Sequence, residues 1–191
     1  MQIEDLFEWI ELSRLTVIGY DFGSEMIKDE LMSKLPSLKL EIVDSSFSLR
    51  SEIIRESRER KADALLEEKE YSPFRFAVID MQLFRLNMEN YGSMSRFAER
   101  IRSEAMEAGI KAIIMKPVNS DISSNTGMAI TPGQLLYSAD LVFAITADRE
   151  YRTRSARISI SKNRYHHDEQ KMNISLDEAK DFKYLSRHEI S

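Results

Sequence analysis

Four short, almost wholly apolar runs constrain this chain more than anything else in it: Leu15–Gly19, Phe76–Ile79, Lys111–Met115 and Leu141–Ile145. Each is too short for a buried helix and lacks the polar alternation of a strand with one wet face, so each reads as a strand covered on both sides. Helical stretches separate them: Glu25–Lys34, ended by Leu35-Pro36; Ser48–Lys69; and Ser93–Ala108, with Gly109 as its C-terminal cap. Leu38–Val43 reads as a further strand, and Ile53, Ile54, Ala62, Leu65 and Leu66 are expected to form one buried stripe on the second of those helices. Strands alternating with helices of this length predict βαβ units, a mostly parallel sheet and helices on both faces. Ala156–Ser161 alternates apolar and polar residues and predicts an antiparallel strand beside Leu141–Ile145. The expected organisation is a single α/β domain spanning 1–191.

At 191 residues such a domain buries a core without staples, and the absence of cysteine removes both disulfides and thiolate metal sites. No apolar run approaches the roughly 20 residues that span a bilayer. The start, MQIEDLFEWIELSR, is acidic and amphipathic, unlike a secretory signal. A cytoplasmic setting with no membrane partner is expected. A net charge of −5 argues against nucleic-acid binding by the whole surface. A local patch is left open by Arg149, Arg152, Arg154, Arg157, Lys162 and Arg164, for which a solvated strand pair is the plain alternative.

The first strand leads into the segment LTVIGYDFGSEMIKDEL, with the strand–loop–helix layout of a phosphate-binding loop. Such a loop cradles phosphate with backbone N–H groups and a lysine. Gly19, Gly23 and Ser24 fall in place, but Glu25, Met26 and Ile27 stand where Gly-Lys-Thr would complete the motif. The ammonium and the Mg²⁺-binding hydroxyl are gone. Glu25 puts a carboxylate at the helix N-terminus, where the helix dipole favours negative charge by about 0.3–1 kcal/mol, so it can occupy the anion position itself. His166 and His167, followed by Asp168 and Glu169, are adjacent residues whose side chains diverge on a strand, and no metal site is expected from them. Ser123 and Ser124 have no histidine base in view.

Taken in order, four segments resemble the RecA-like ATPase core, closest to the helicase domain of DnaB-type replicative helicases and their RadA-type relatives. The first is the degenerate loop just described. The second, LEIVDSSFS, looks like the strand and turn that present the catalytic glutamate, with Ser46 at that position. The third, FRFAVIDMQLF, is similar to a Walker B strand and keeps Asp80 where the family holds Mg²⁺ through water. The fourth runs from KAIIMKPVNS to ARISISKNRY; Pro117 replaces the sensor glutamine, while Gly133, Ala139-Asp140 and Lys162-Asn163-Arg164 are kept. The loop Asn119–Thr131, where such helicases contact DNA, contains no Lys or Arg.

What the resemblance implies is a RecA-like, P-loop NTPase-type three-layer fold with a mostly parallel central sheet and an antiparallel C-terminal extension. It also implies a protein working in DNA replication, recombination or repair. The family's Lys-x-Arg acts in trans on the nucleotide of an adjacent subunit, and an arginine finger needs only a charged planar fork aimed at developing phosphate charge. Loss of the cis groups with retention of Lys162 and Arg164 makes a catalytically inactive subunit the leading expectation. It would need no cofactor of its own and would assemble with itself or with an active RecA-like ATPase. The rival readings are a DNA-binding accessory module using Arg149–Arg164, and an enzyme that binds nucleotide differently through Asp80 and the surviving glycines.

Overall fold

The computed structural model describes residues 1–41, 47–81, 91–117, 137–148, 154–167 and 170–182. Its elements in chain order are α1 (Ile3–Leu12), β1 (Leu15–Tyr20), α2 (Glu25–Ser33), β2 (Ser37–Glu41), α3 (Leu49–Leu66) and β3 (Phe76–Asp80). There follow α4 (Tyr91–Glu107), β4 (Lys111–Pro117), β5 (Leu141–Ala147), β6 (Ser155–Asn163), β7 (Lys171–Ser175) and α5 (Leu176–Asp181). All seven strands form one sheet in the order β2-β3-β4-β1-β5-β6-β7. The pairings from β2 to β5 are parallel; β5 with β6 and β6 with β7 are antiparallel. This is the mixed α/β architecture that the sequence predicts, with β7 and α5 as additions to it.

The apolar runs are buried on both sides because the sheet separates two cores. On one face, Leu6, Phe7, Trp9 and Ile10 of α1, with Ile27, Leu31 and Met32 of α2 and Ala179 of α5, pack on Ile18, Tyr20, Phe76, Val78, Phe143 and Ile158. On the other, Leu49 and Ile53 of α3 and Phe97, Ala98, Ile101 and Ala105 of α4 cover Leu15, Val17, Ala77, Ile79, Ala112 and Ile114. Alternation along β1 therefore assigns Ile18 and Tyr20 to the α2 face and Leu15 and Val17 to the α4 face. Gly109 closes α4 with φ +70°, the left-handed conformation of a glycine cap.

Helix α3 departs from the expected stripe. Only Leu49 and Ile53 are buried, whereas Ile54, Leu65 and Leu66 are 44%, 81% and 83% exposed and Ala62 is exposed as well. Ile53 and Leu65 stand twelve positions apart, which at 3.6 residues per turn puts them roughly a third of a turn out of line. The helix touches the core with its first turns and then continues past it.

Candidate functional site at the ends of the central strands

The parallel strands place β1, β3, β4 and β5 side by side, so their C-terminal ends gather Tyr20, Asp80, Pro117 and Ala147 at one edge. The expected phosphate loop lies here but is built differently. Gly19 is inside β1, paired with Lys116 and Ala144, so it belongs to the strand and not to the turn. Only Asp21, Phe22, Gly23 and Ser24 separate β1 from α2.

That short turn is fastened to β5. Both carboxylate oxygens of Asp21 accept the Ala147 N–H at 3.0 Å, and the Asp21 N–H donates to the Ile145 carbonyl at 3.2 Å. The Ser24 hydroxyl reaches the carbonyls of Asp21 (2.9 Å) and Ile145 (2.8 Å). A β-carbon on Gly23 would stand 2.6 Å from the Ala147 β-carbon, so close approach to β5 accounts for this glycine without any phosphate. Glu25 opens α2, Met26 is 53% exposed and Ile27 is buried in the core.

Asp80 is engaged from two sides. The Tyr20 hydroxyl donates to its Oδ1 at 3.2 Å, and the Lys28 ammonium lies 3.6 Å from its Oδ2. Lys28 is 5% exposed, sits 4.1 Å from the centre of the Tyr20 ring and also pairs with Asp29 at 3.1 Å. Burial first, and then the charge and hydrogen bond of Asp80, hold the Tyr20 hydroxyl well above the ordinary phenol range. Lys116, on the neighbouring strand end, is pulled below the usual lysine range by burial.

These residues do not fit Mg-nucleotide. The acid that would hold the metal is already neighboured by an ammonium, the helix N-terminus carries Glu25, and the Asp21 carboxylate and N–H and the Ser24 hydroxyl are bonded to β5. Lys28 was not singled out in the sequence. Its signal is a lysine one turn into the helix after β1, on the face that Ile27 and Leu31 bury.

Lys162 and Arg164 lie at the opposite edge, where β5 and β1 begin. β1 is six residues long, so about 17–20 Å of strand separates them from Tyr20. The organising group there is Asp140, 1% exposed. It accepts the backbone N–H of Arg14 (2.9 Å) and of Leu15 (3.4 Å), and pairs with Arg164 at 2.6 Å and Arg102 at 3.5 Å. The Arg164 side chain is nevertheless half exposed. The Lys162 ammonium donates to the Tyr137 carbonyl at 3.3 Å, and burial together with Arg164 lowers its pKa.

Arg154 and Arg157, both exposed, lie toward the other end of β6, so the described members of the Arg149–Arg164 segment do not make one patch. The ring of His166 tilts against Trp9 at 5.9 Å, and its Nδ1 faces the Gln170 amide. Ser46, Ser123, Ser124, Gly133, Arg149, Arg152, Asp168, Glu169 and the Asn119–Thr131 loop lie outside the described residues. Among the described residues no cluster of three or more His, Cys, Asp or Glu side chains could hold a metal. No helix among them is long and apolar enough to cross a membrane.

No family model matches the chain, and no curated protein does. Among solved structures it is similar to the RadB recombinase, with a TM-score of 0.53 over 87% of this chain and 88% of that one, at 14% sequence identity. Similarity at that identity is similarity of fold. The fold is RecA-like, with a mostly parallel sheet extended by antiparallel C-terminal strands.

Proposed function

We propose that this chain is a RecA-like subunit that does not hydrolyse ATP itself and acts as a structural or regulatory partner in DNA recombination, repair or replication. The observation carrying this reading is the Tyr20–Lys28–Asp80 cluster: an ammonium of the chain itself occupies the neighbourhood of the one retained metal-binding acid. Glu25, Met26 and Ile27 in place of the loop's working residues support it, as does Asp21 anchored to β5. A recombination or repair setting rests on the likeness to RadB recombinase and on the resemblance of the four segments.

Arg164, with Lys162, is the group through which the chain would act on a neighbouring RecA-like ATPase or on a second copy. Its distance from the cis edge argues for action outside its own loop, and its half-exposed guanidinium stands at the protein surface. Two measurements test the reading. Calorimetry with Mg-ATP should give no binding heat with the wild-type chain, and saturable binding with one nucleotide per chain would overturn the inactive-subunit assignment. Hydrolysis by an active RecA-like ATPase that co-purifies with the chain should change on adding wild-type protein and should change less with Arg164→Ala. An identical effect of the two proteins would remove the trans role.

A further inference from the structure

Helix α3 and the basic strand-start edge pose the same question, because each leaves apolar side chains in water. Beyond Ile53 no residue of α3 is fully buried, so its later turns have thin tertiary cover, although helices in water are held chiefly by the face they pack. Its far end carries Leu65 and Leu66, 81% and 83% exposed. The charges around them are sorted. Arg60 lies 3.7 Å over the Phe74 ring and Lys61 5.2 Å over the Tyr71 ring, so these two cations turn back onto their own chain. Asp63, Glu67, Glu68 and Glu70 are all exposed, against one exposed cation among them, Lys69, which pairs with Glu67 at 2.6 Å. The tip is therefore apolar and acidic.

The complementary surface lies where β1 and β5 begin. Leu12 and Tyr165 are each 45% exposed and joined by the Tyr165 hydroxyl on the Leu12 carbonyl at 2.8 Å; Met106 is 47% exposed beside the Arg14 guanidinium at 3.9 Å. Arg14 is exposed, and its backbone shares Asp140 with Arg164, which makes these residues one continuous apolar and basic patch.

We infer that the acidic, leucine-bearing tip of α3 docks on the Leu12–Arg14–Tyr165 patch of a second copy of this chain. Leu65 and Leu66 would cover Leu12 and Tyr165, and Glu67 and Glu68 would face Arg14. Both halves reside on every copy and are uncovered within it, so association satisfies each by the other. The inference goes beyond the trans role of Arg164 and does not depend on it, because no nucleotide and no ATPase enters the contact.

The chain has no cysteine, so introduced thiols report the contact cleanly. Leu66→Cys and Leu12→Cys variants, mixed and treated with a short bis-maleimide, are expected to cross-link to each other far more than either does alone. A Leu66→Cys and Phe22→Cys mixture, with Phe22 exposed at the opposite edge, should not. Sedimentation velocity of the intact protein should show reversible self-association that weakens with salt. Leu65→Asp with Leu66→Asp should weaken it about tenfold or more. Glu67→Lys with Glu68→Lys should also weaken it, and adding Arg14→Glu should restore it. All these side chains are exposed, so the variants keep the fold, which circular dichroism checks. A wild-type monomer throughout the concentration range would overturn the inference. So would an association that the α3 variants leave intact, or cross-linking to Phe22→Cys equal to that with Leu12→Cys.

Discussion

Asp80 and Asp140 stand at opposite ends of one sheet, and the groups that surround them differ in kind. Asp140 is 1% exposed and receives two backbone N–H groups and two guanidiniums, so both its oxygens are committed to holding β1, β5, β6 and α4 together. The Asp80 side chain is 19% exposed, and its contacts include the Tyr20 hydroxyl from β1, two strands away in the sheet, and the Lys28 ammonium from α2. An acid enclosed by backbone donors is part of the fold's wiring. At Asp80 the hydroxyl and ammonium contacts come from side chains, those of Tyr20 and Lys28. The resemblance assigns chemistry to the first edge and carry-over to the second; the contacts show that both edges are internally satisfied.

The largest expected effect tests the structural end. Asp140→Ala leaves two N–H groups and two cations without their buried anion, and removing one partner of a buried ion pair costs about 3–5 kcal/mol. Denaturant unfolding should show that loss; a cost near that of a surface substitution would mean that Asp140 does not organise the edge. At the other end Lys28→Met should cost less, about 1–3 kcal/mol, because Asp80 keeps the Tyr20 hydroxyl and some access to water. Should Lys28→Met prove more damaging than Asp140→Ala, the ranking of the two edges would be reversed.

The turn between β1 and α2 supplies an intermediate effect. Gly23→Ala drives a β-carbon to 2.6 Å from that of Ala147, and overpacking of this kind costs about 1–3 kcal/mol. The loss should appear in thermal unfolding of the chain without nucleotide. A neutral outcome would mean that the turn can lift off β5, which would reopen the C-terminal edge to a ligand.

How much of this was legible in the sequence follows from which physical signal each feature leaves. The central strands were plain because burial on both faces makes them continuous apolar runs. β7 was not, because in Lys171–Ser175 only Ile174 is buried and Met172 half-buried, in a strand of five whose other residues are polar. Gly23 drew attention correctly as a glycine, yet a sequence cannot say whether the backbone approaches a phosphate or another strand. Lys28 was hidden because its importance depends on the turn being four residues long, which sets the face of α2 that looks at Asp80. Asp140 was noted only as part of a retained pair, since its partners at Arg14, Leu15 and Arg102 are distant in the chain. The stripe expected on α3 failed for a simpler reason: Ile53 and Leu65 do not share a face, and burial of the helix ends at Ile53.

The smallest effect is the most specific to the C-terminal edge. Tyr20→Phe removes the hydroxyl that donates to Asp80 while leaving the buried ring, so the expected cost at neutral pH is about 1 kcal/mol. Its pH dependence carries more information. The folded state holds the Tyr20 proton more tightly than the unfolded chain does, through burial and then through Asp80. The contribution is therefore complete below the unfolded tyrosine value of about 10 and is lost as pH rises through and beyond it. Wild-type stability should consequently fall as pH rises above about 10, and Tyr20→Phe should flatten that fall although it is the less stable protein at pH 7. If the two unfolding curves ran parallel through the alkaline range, Asp80 would not be sensed by Tyr20. The contrast between an acid answered by side chains and one enclosed by backbone would then rest on Lys28 alone.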